Sequence, residues 1–200
     1  MRNEIKKIKR SEFIDSCKLN PTIVIDCEFH SYASEKESKS LANQIMQSYG
    51  ANKRAEKPFN LVICGIKPQS DLDMALCRIS GTDRWTCQLS NESLESIYEP
   101  EKLIYLSADS ENVIEDLTPE GIYVIGGIVD RNRLNGMTYN KARIIGADCK
   151  RLPIKEHIKL IGSHVLSVNN CVEILLNYYQ NKNWELALKN TIPKRKLIDS

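Results

Sequence analysis

Short apolar runs rich in β-branched residues recur along the chain, and longer segments with helical spacing separate most of them. The clearest runs lie at 22–26, 60–66, 103–107 and 122–125, with weaker ones at 84–89 and 149–153. Each run predicts a buried strand, because β-branched side chains fit a pleated sheet and most helices are longer.

The segments between the runs predict helices. Leu41, Ile45 and Tyr49 share one face of a helix that follows a capping box at Ser34 and Glu37, and Gly50 is predicted to end it. The longest helix is predicted at 165–181. Shorter helices are predicted at 71–79, after Ser90, at 111–117, from Thr138 to Gly146, and from Asn183 to just before Pro193.

This alternation predicts an α/β fold with a mainly parallel sheet flanked by helices. No internal segment has the composition of a linker. We therefore expect one domain at 21–196, preceded by a basic stub at 1–20 and followed by a short tail at 197–200.

Composition narrows the class of protein. Hydrophobic residues make up 42% of the chain, yet no run of 18 apolar residues predicts a membrane span. The first residues lack the apolar stretch of a signal peptide. The seven cysteines are odd in number and form no C-x-x-C pair, so we expect reduced thiols, no metal site, and a nuclear or cytoplasmic location.

Charge is unevenly distributed, although the net charge is only +2. Basic residues cluster at 1–10, 141–155 and 194–196, and acidic residues at 99–120. Such a distribution is compatible with phosphate contact on one side of the molecule. Charge alone favours the simpler interpretation of solvated helix faces.

The segment GIYVIGGIVD at 121–130 carries the strongest indication of a ligand site. A glycine pair, Gly126 and Gly127, follows a predicted strand, and Asp130 comes three residues later. Open α/β sheets bind ligands beyond the carboxyl ends of their strands. The chain contains neither G-x-G-x-x-G nor a Walker loop, so a dinucleotide or P-loop site is not indicated.

Several segments, taken in order, resemble the tRNA purine-9 N1-methyltransferase family, a branch of the knotted SPOUT methyltransferases. They are IVIDCEF at 23–29, 41–59, IYLSADS at 104–110, 121–130, KARIIGADCKRLPI at 141–154, 165–179, NWELAL at 183–188 and PKRK at 193–196. The resemblance implies a C-terminal trefoil knot, S-adenosylmethionine as cofactor (S-adenosylhomocysteine as product) and tRNA as substrate. It also implies a monomeric catalytic unit. Family members carry a longer basic segment before this domain, so we expect a catalytic fragment of a longer protein.

The resemblance implies that three loops hold the cofactor. Their residues, with the start of the following helix, are Leu106, Ser107, Ile125, Gly126, Gly127, Ile128, Val129, Asp130, Asn132, Arg151, Leu152, Pro153, Ile154 and Val168. Several of the apolar side chains in this set also suit the hydrophobic core.

Asp130 is the predicted catalytic residue. Methylation at ring nitrogen 1 of guanine requires loss of the proton there, so a positioned base would help. A free aspartate has a pKa of about 3.9, so this role needs desolvation or a nearby like charge. Alternatively Asp130 orients the base and stabilises charge, or it only caps the loop.

The resemblance, together with the basic clusters, implies an RNA-binding set. Its members are Gln44, Asn52, Lys53, Arg54, Arg131, Arg133, Lys150, Lys194 and Arg195. Contacts to phosphate would supply affinity, and the shape of the tRNA would supply the choice of substrate.

Three functions are therefore compared. The first is a tRNA methyltransferase acting on ring nitrogen 1 of the purine at position nine, with guanine favoured. The second is a non-catalytic, tRNA-binding scaffold subunit with the same fold, and the third is an unrelated α/β domain that binds another small ligand. The intact glycine loop and Asp130 favour the first.

Overall fold

The computed structural model describes residues 2–129, 134–162 and 165–198. Helices and strands alternate along most of this length. In chain order they are α1 (Arg2–Lys18), β1 (Thr22–Asp26), α2 (Glu35–Arg54), β2 (Asn60–Cys64), α3 (Asp71–Cys77), β3 (Gln88–Leu89), α4 (Leu94–Ile97), β4 (Leu103–Leu106), β5 (Ile122–Gly126), α5 (Met137–Ile145), β6 (Asp148–Lys150), α6 (Ile154–His157), α7 (Val168–Asn181) and α8 (Trp184–Thr191).

The strands form one six-stranded sheet in the order β3-β2-β1-β5-β4-β6, and each recorded strand pairing is parallel. This confirms the predicted α/β class with a parallel sheet flanked by helices. Because the strands are parallel, their carboxyl ends meet at one edge. In that register Asp26 of β1 lies between Cys64 of β2 and Gly126 of β5.

The core lies on both faces of the sheet because successive strand side chains point to opposite sides. Ile23 and Ile25 of β1 join the larger cluster, which includes α2 and α7. Val24 joins the smaller cluster, which includes Ala142 of α5. The sheet is therefore covered on both faces, as parallel sheets usually are.

Helix α2 begins as predicted but ends later. Both hydrogen bonds of the Ser34–Glu37 capping box are present. The helix then continues through Gly50 to Arg54. A glycine inside a helix costs only about 1 kcal/mol relative to alanine, so packing against the core keeps this turn helical.

Other predicted elements also differ. Residues 111–117 form no helix, because Val113 forms a parallel bridge with Arg151 and the N–H of Ile114 donates to the carbonyl of Arg151 at 2.9 Å. Thr138 does not cap α5, since Gly136 holds the N-cap position in the left-handed region (φ 76°). Helix α4 is capped by Ser93 rather than Ser90, the strand predicted at 84–89 shortens to β3, and α7, with 14 residues, is shorter than α2, with 20.

The two ends of the described chain contact the domain. The stub forms α1, whose Arg10 guanidinium donates to the carbonyl of Arg84 at 2.7 Å, and whose Cys17 is buried. Leu197 pairs with Leu160 in an antiparallel bridge. Among the described residues, no helix combines the length and the apolar character that a membrane crossing needs. The trefoil knot stays a prediction from the resemblance.

Candidate active site

A cavity opens where the carboxyl ends of β4, β5 and β6 meet. It brings together eight of the residues predicted to hold the cofactor, drawn from all three predicted loops. These are Leu106, Ser107, Ile125, Gly126, Ile128, Arg151, Leu152 and Ile154. Segments far apart in the sequence therefore converge on one site.

The remaining predicted cofactor residues lie elsewhere or are not described. Gly127 and Val129 line a small hollow beside Phe29 rather than the main cavity. Pro153 is buried next to it, and Val168 is a core residue that is 2% exposed. Asp130 and Asn132 lie outside the described residues.

The cavity also has walls that the sequence did not indicate. They come from the turn after β4, from the approach to α5 and its first turn, and from residues around α6 and α7. These residues are Ala108, Asp109, Leu134, Asn135, Thr138, Lys155, Val165, Leu166 and Cys171. The signal available in the sequence was that Ala108, Asp109 and Lys155 come just after predicted strands, where open α/β sheets bind ligands.

Close packing explains the glycine pair. A Cβ atom on Gly126 would lie 2.4 Å from Cγ2 of Thr138, and one on Gly127 would lie 2.8 Å from the carbonyl oxygen of Asp26. Neither position has room for a side chain. The backbone at Gly126 and Gly127, called the β5 loop below, therefore runs directly against α5 and the end of β1.

Hydrogen bonds connect the separate walls of the cavity. The hydroxyl of Thr138 donates to Oγ of Ser107 at 2.8 Å, and the N–H of Ser107 donates to the carbonyl of Lys150 at 2.9 Å. The carboxylate of Asp109 accepts the N–H of Gly136 at 3.0 Å. The turn after β4 is thus tied to both α5 and β6.

A buried charged network lies next to these walls, and the sequence analysis missed it. The Lys141 ammonium lies 2.6 Å from Oδ2 of Asp26 and 2.6 Å from Oε2 of Glu28. Asp26 is fully buried and also accepts the Tyr105 hydroxyl at 2.8 Å. The signal available in the sequence was an aspartate ending a buried strand, since a carboxylate there needs a partner.

The surroundings of Lys141 and Tyr105 shift the pKa of each group upward. Burial lowers the pKa of Lys141, but the Asp26 and Glu28 carboxylates outweigh burial and raise it overall. Burial and the Asp26 carboxylate raise the pKa of Tyr105 well above its usual range. Lys141 therefore stays charged and Tyr105 stays protonated, so both donate to Asp26.

Arg151 has its own partner at the cavity rim. Its guanidinium makes two hydrogen bonds to the Glu156 carboxylate, at 2.9 and 2.6 Å. These bonds lower the pKa of Glu156. The fork holds the third loop of the cavity in place.

The family model for tRNA (guanine(9)-N(1))-methyltransferase TRM10/TRM10A matches residues 1–197. The chain belongs to this family. Among curated proteins, it is 34% identical over 179 residues to the Candida glabrata tRNA (guanine(9)-N1)-methyltransferase, covering 88% of this chain and 62% of that protein. It is 31% identical to human tRNA methyltransferase 10 homolog B, covering 96% of this chain and 63% of that protein. The chain thus spans about three fifths of the length of these relatives.

Solved structures of Trm10 proteins share the fold. The full-length spTrm10 complex with SAH matches with a TM-score of 0.79 and 35% identity, over 86% of this chain and 95% of that chain. A dual-specific Trm10 from Thermococcus kodakaraensis matches with a TM-score of 0.66 at 18% identity, over 86% of this chain and 100% of that chain. The second likeness shows the fold only.

Within this TRM10-family chain, the predicted RNA contacts divide into two groups. Lys53, Arg54, Lys194 and Arg195 are exposed, and Lys150 is half-buried beside Asp148 at 3.7 Å. Arg131 and Arg133 lie outside the described residues. The role of the exposed cations as phosphate contacts stays a prediction.

Asn52 and Gln44 have structural partners instead. Asn52 is 3% exposed, and its amide pairs with both the N–H and the carbonyl of Phe59, at 2.7 and 2.9 Å. The Asn52 side chain is therefore buried and engaged by Phe59, whereas its predicted role needs an exposed side chain. The Gln44 side-chain carbonyl accepts the N–H of Val168 at 2.9 Å and so fastens α2 to the start of α7.

Metal binding has no support in the described ranges, where no group of three or more His, Cys, Asp or Glu side chains is placed to hold an ion.

Proposed function

We propose that this chain is the catalytic part of a tRNA methyltransferase. It transfers a methyl group from S-adenosylmethionine to ring nitrogen 1 of the purine at position nine, with guanine favoured. One observation carries the proposal: the cavity at the carboxyl ends of β4, β5 and β6 assembles the three loops that the family resemblance implies. The chain's similarity to a tRNA (guanine(9)-N1)-methyltransferase supports the proposal, and so does its similarity to spTrm10, whose structure holds SAH.

The cavity fits the cofactor by its chemistry. Leu106, Ile128 and Leu152 supply apolar walls for an adenine ring. Because Gly126 has no side chain, Thr138 packs directly against it, and both residues line the cavity. When bound, S-adenosylmethionine supplies an activated methyl group on a positively charged sulfur.

Asp130 would manage the proton of the target base. It directly follows Val129 in the sequence. The lone pair of ring nitrogen 1 of guanine is free only after its proton has left, and a carboxylate beside it would accept that proton or orient the ring. Adenine carries no proton at this nitrogen, so guanine is the base that needs Asp130 most.

The tRNA would be held through its phosphates. Lys53 and Arg54 at the end of α2, and Lys194 and Arg195 after α8, are exposed cations. Such contacts fix orientation on a folded RNA without reading its sequence. We include a monomeric catalytic unit in the proposal.

The first test is calorimetric titration of the 200-residue chain with S-adenosylhomocysteine. Saturable binding with one site per chain supports the methyltransferase. A folded chain that fails to bind S-adenosylhomocysteine but still binds tRNA would support the scaffold subunit instead.

The second test is Asp130→Asn. If Asp130 accepts the proton, single-turnover methylation of a tRNA with guanine at position nine should fall by roughly two to four orders of magnitude, and S-adenosylhomocysteine affinity should change little. The rate of methylation of a tRNA with adenine at position nine should fall much less in the same variant. Asp83→Asn, at an exposed turn, is the matched control. A near-normal rate in Asp130→Asn would remove Asp130 from the chemistry.

A further inference from the structure

The charged side chains of the cavity differ in how well they are already paired. Among its described lining residues, Asp109, Arg151 and Lys155 carry charge, and the others are apolar or neutral. Arg151 is occupied by the fork to Glu156. One anion and one cation therefore remain for a ligand.

Asp109 lies on the turn after β4. Its Oδ2 accepts the N–H of Gly136 at 3.0 Å, and its own N–H donates to Oγ of Ser107 at 3.3 Å. A carboxylate can accept about four hydrogen bonds, so this one keeps accepting capacity after Gly136 is satisfied. The two backbone contacts fix the carboxylate at the cavity.

Lys155 lies on α6, which follows β6. Its side chain is exposed, and the described part of the chain records no ion pair for it. Strands β4 and β6 are neighbours in the sheet, so the elements after them border the same edge. Asp109 and Lys155 thus give one cavity an anionic and a cationic side chain on separate walls.

We propose that Asp109 and Lys155 bind the amino-acid end of the cofactor. Asp109 accepts hydrogen bonds from its α-ammonium group, and Lys155 donates to its α-carboxylate. This proposal rests on the proposed function, because it assumes that the cavity binds S-adenosylmethionine with the adenosine against the apolar walls. It then assigns the charged end of the same ligand to Asp109 and Lys155. Pairing both charges favours adenosine thioethers that carry an amino acid over those that lack one.

The test compares two ligands that share the adenosine and the sulfur. S-adenosylhomocysteine carries the amino-acid end, whereas 5′-methylthioadenosine has only a methyl group there. We expect Asp109→Asn and Lys155→Gln each to weaken S-adenosylhomocysteine binding by about tenfold, as for one lost charged hydrogen bond, measured by calorimetry. Binding of 5′-methylthioadenosine should stay within twofold of the unchanged chain.

Asparagine keeps an acceptor for the N–H of Gly136, so Asp109→Asn removes the charge with the least change to the turn. Glu111→Gln and Lys159→Gln are matched controls, since both residues are exposed, lie two and four residues along the chain from Asp109 and Lys155, and do not line the cavity. Both controls should bind the two ligands normally, and thermal unfolding confirms that each variant is folded.

Two results would overturn the proposal. Equal losses for both ligands would show that the side chains act through the shape of the cavity, and unchanged S-adenosylhomocysteine affinity would show that they do not contact it. Failure of the unchanged chain to bind S-adenosylhomocysteine is a separate result that contradicts the proposed function itself.

Discussion

Gly126 shows how one missing side chain shapes the site. Its Cα hydrogens face Cγ2 of Thr138, and a methyl group there would lie 2.4 Å from that carbon. Thr138 cannot simply turn away, because its hydroxyl donates to Ser107. The glycine therefore allows α5 to pack directly on the β5 loop and close the cavity wall.

Gly126→Ala should consequently destabilise the fold by about 1–3 kcal/mol, as overpacking usually does, and should weaken S-adenosylhomocysteine binding. Adding Thr138→Ser removes Cγ2 but keeps the hydroxyl, so the double variant should recover much of both losses. Chemical denaturation and calorimetry measure these effects.

Gly50→Ala is the control, and it should change the free energy of unfolding in the opposite direction. Gly50 lies inside α2, where a new Cβ would meet only the flexible end of Arg54, at 3.2 Å. We expect it to stabilise the chain by about 0.5–1 kcal/mol. If Gly126→Ala were equally harmless, close packing would not explain the glycine.

Asn52 provides a prediction about stability rather than RNA binding. In Asn52→Ala, the buried N–H and carbonyl of Phe59 both lose their partner, so the free energy of unfolding should fall by roughly 1–3 kcal/mol. Asn43→Ala, at an exposed position of the same helix, should stay within about 0.5 kcal/mol. Urea denaturation of both variants checks this, and equal stabilities would contradict the structural role.

For single residues, the sequence indicated features that depend on neighbouring residues but not those that depend on the fold. The glycine pair after a strand was interpreted as a sign of a ligand site, and the atoms that face the two glycines are those of Thr138 and Asp26. Asp109 and Lys155 lie in segments that the sequence analysis singled out, IYLSADS and the basic cluster at 141–155, but only the fold shows that both line the cavity. Asn52 was predicted as a surface contact because it precedes two basic residues, and no local pattern indicated that its side chain is buried.

At the scale of helices and strands, the position of the α5 wall of the cavity depends on the contact between α5 and β1. Lys141 of α5 reaches Asp26 at the end of β1 and Glu28 just beyond it, each at 2.6 Å. The same helix carries Thr138, which lines the cavity. The ion pair therefore sets the position of one cavity wall.

Lys141→Met should cost about 3–5 kcal/mol, because it leaves the fully buried Asp26 carboxylate without its cation. S-adenosylhomocysteine affinity should fall as α5 shifts. Asp26→Asn in the Lys141→Met background should restore part of the stability, since it removes the uncompensated charge. Denaturant titration of the four members of this cycle measures the coupling.

Arg143→Met, on the same helix but exposed, is the control and should behave like the unchanged chain. Strictly additive effects of the Lys141 and Asp26 changes would show that the pair contributes no coupling to the fold.

Elements with strong local signals were predicted well, and those decided by distant contacts were not. The capping box at Ser34 and the cap at Asn183 both form. The helix predicted at 111–117 is replaced by an extended segment because a bridge to Arg151 satisfies its backbone. That bridge joins residues 38 positions apart, which no local pattern could indicate.

For the whole molecule, alternating strands and helices were enough to predict the class of fold but not the order of the strands. That order depends on pairings between distant segments, such as β1 with β5. The proposed tRNA surface likewise depends on cations from distant parts of the chain, at 53–54 and 194–195. Lys53 and Arg54 are its most testable pair because they are adjacent and exposed.

Replacing Lys53 and Arg54 with glutamine should weaken tRNA binding and reduce the slope of log affinity against log salt by about two, roughly one per lost phosphate contact. Filter binding across a salt series measures this slope. Lys39→Gln, on the same helix but paired with Glu35, is the control. An unchanged slope would place the tRNA on another surface.

The position of β1 in the sheet also affects how the protein emerges from the ribosome. One side of β1 pairs with β2 soon after both are made, but the other side waits for β5. At about 5–20 residues per second, the roughly 60 residues between β2 and β5 take about 3–12 s to synthesise. During that interval an apolar strand edge is open to other chains. Chaperone binding to nascent chains should therefore peak before Gly126 emerges and decline once α5 brings Lys141 to Asp26.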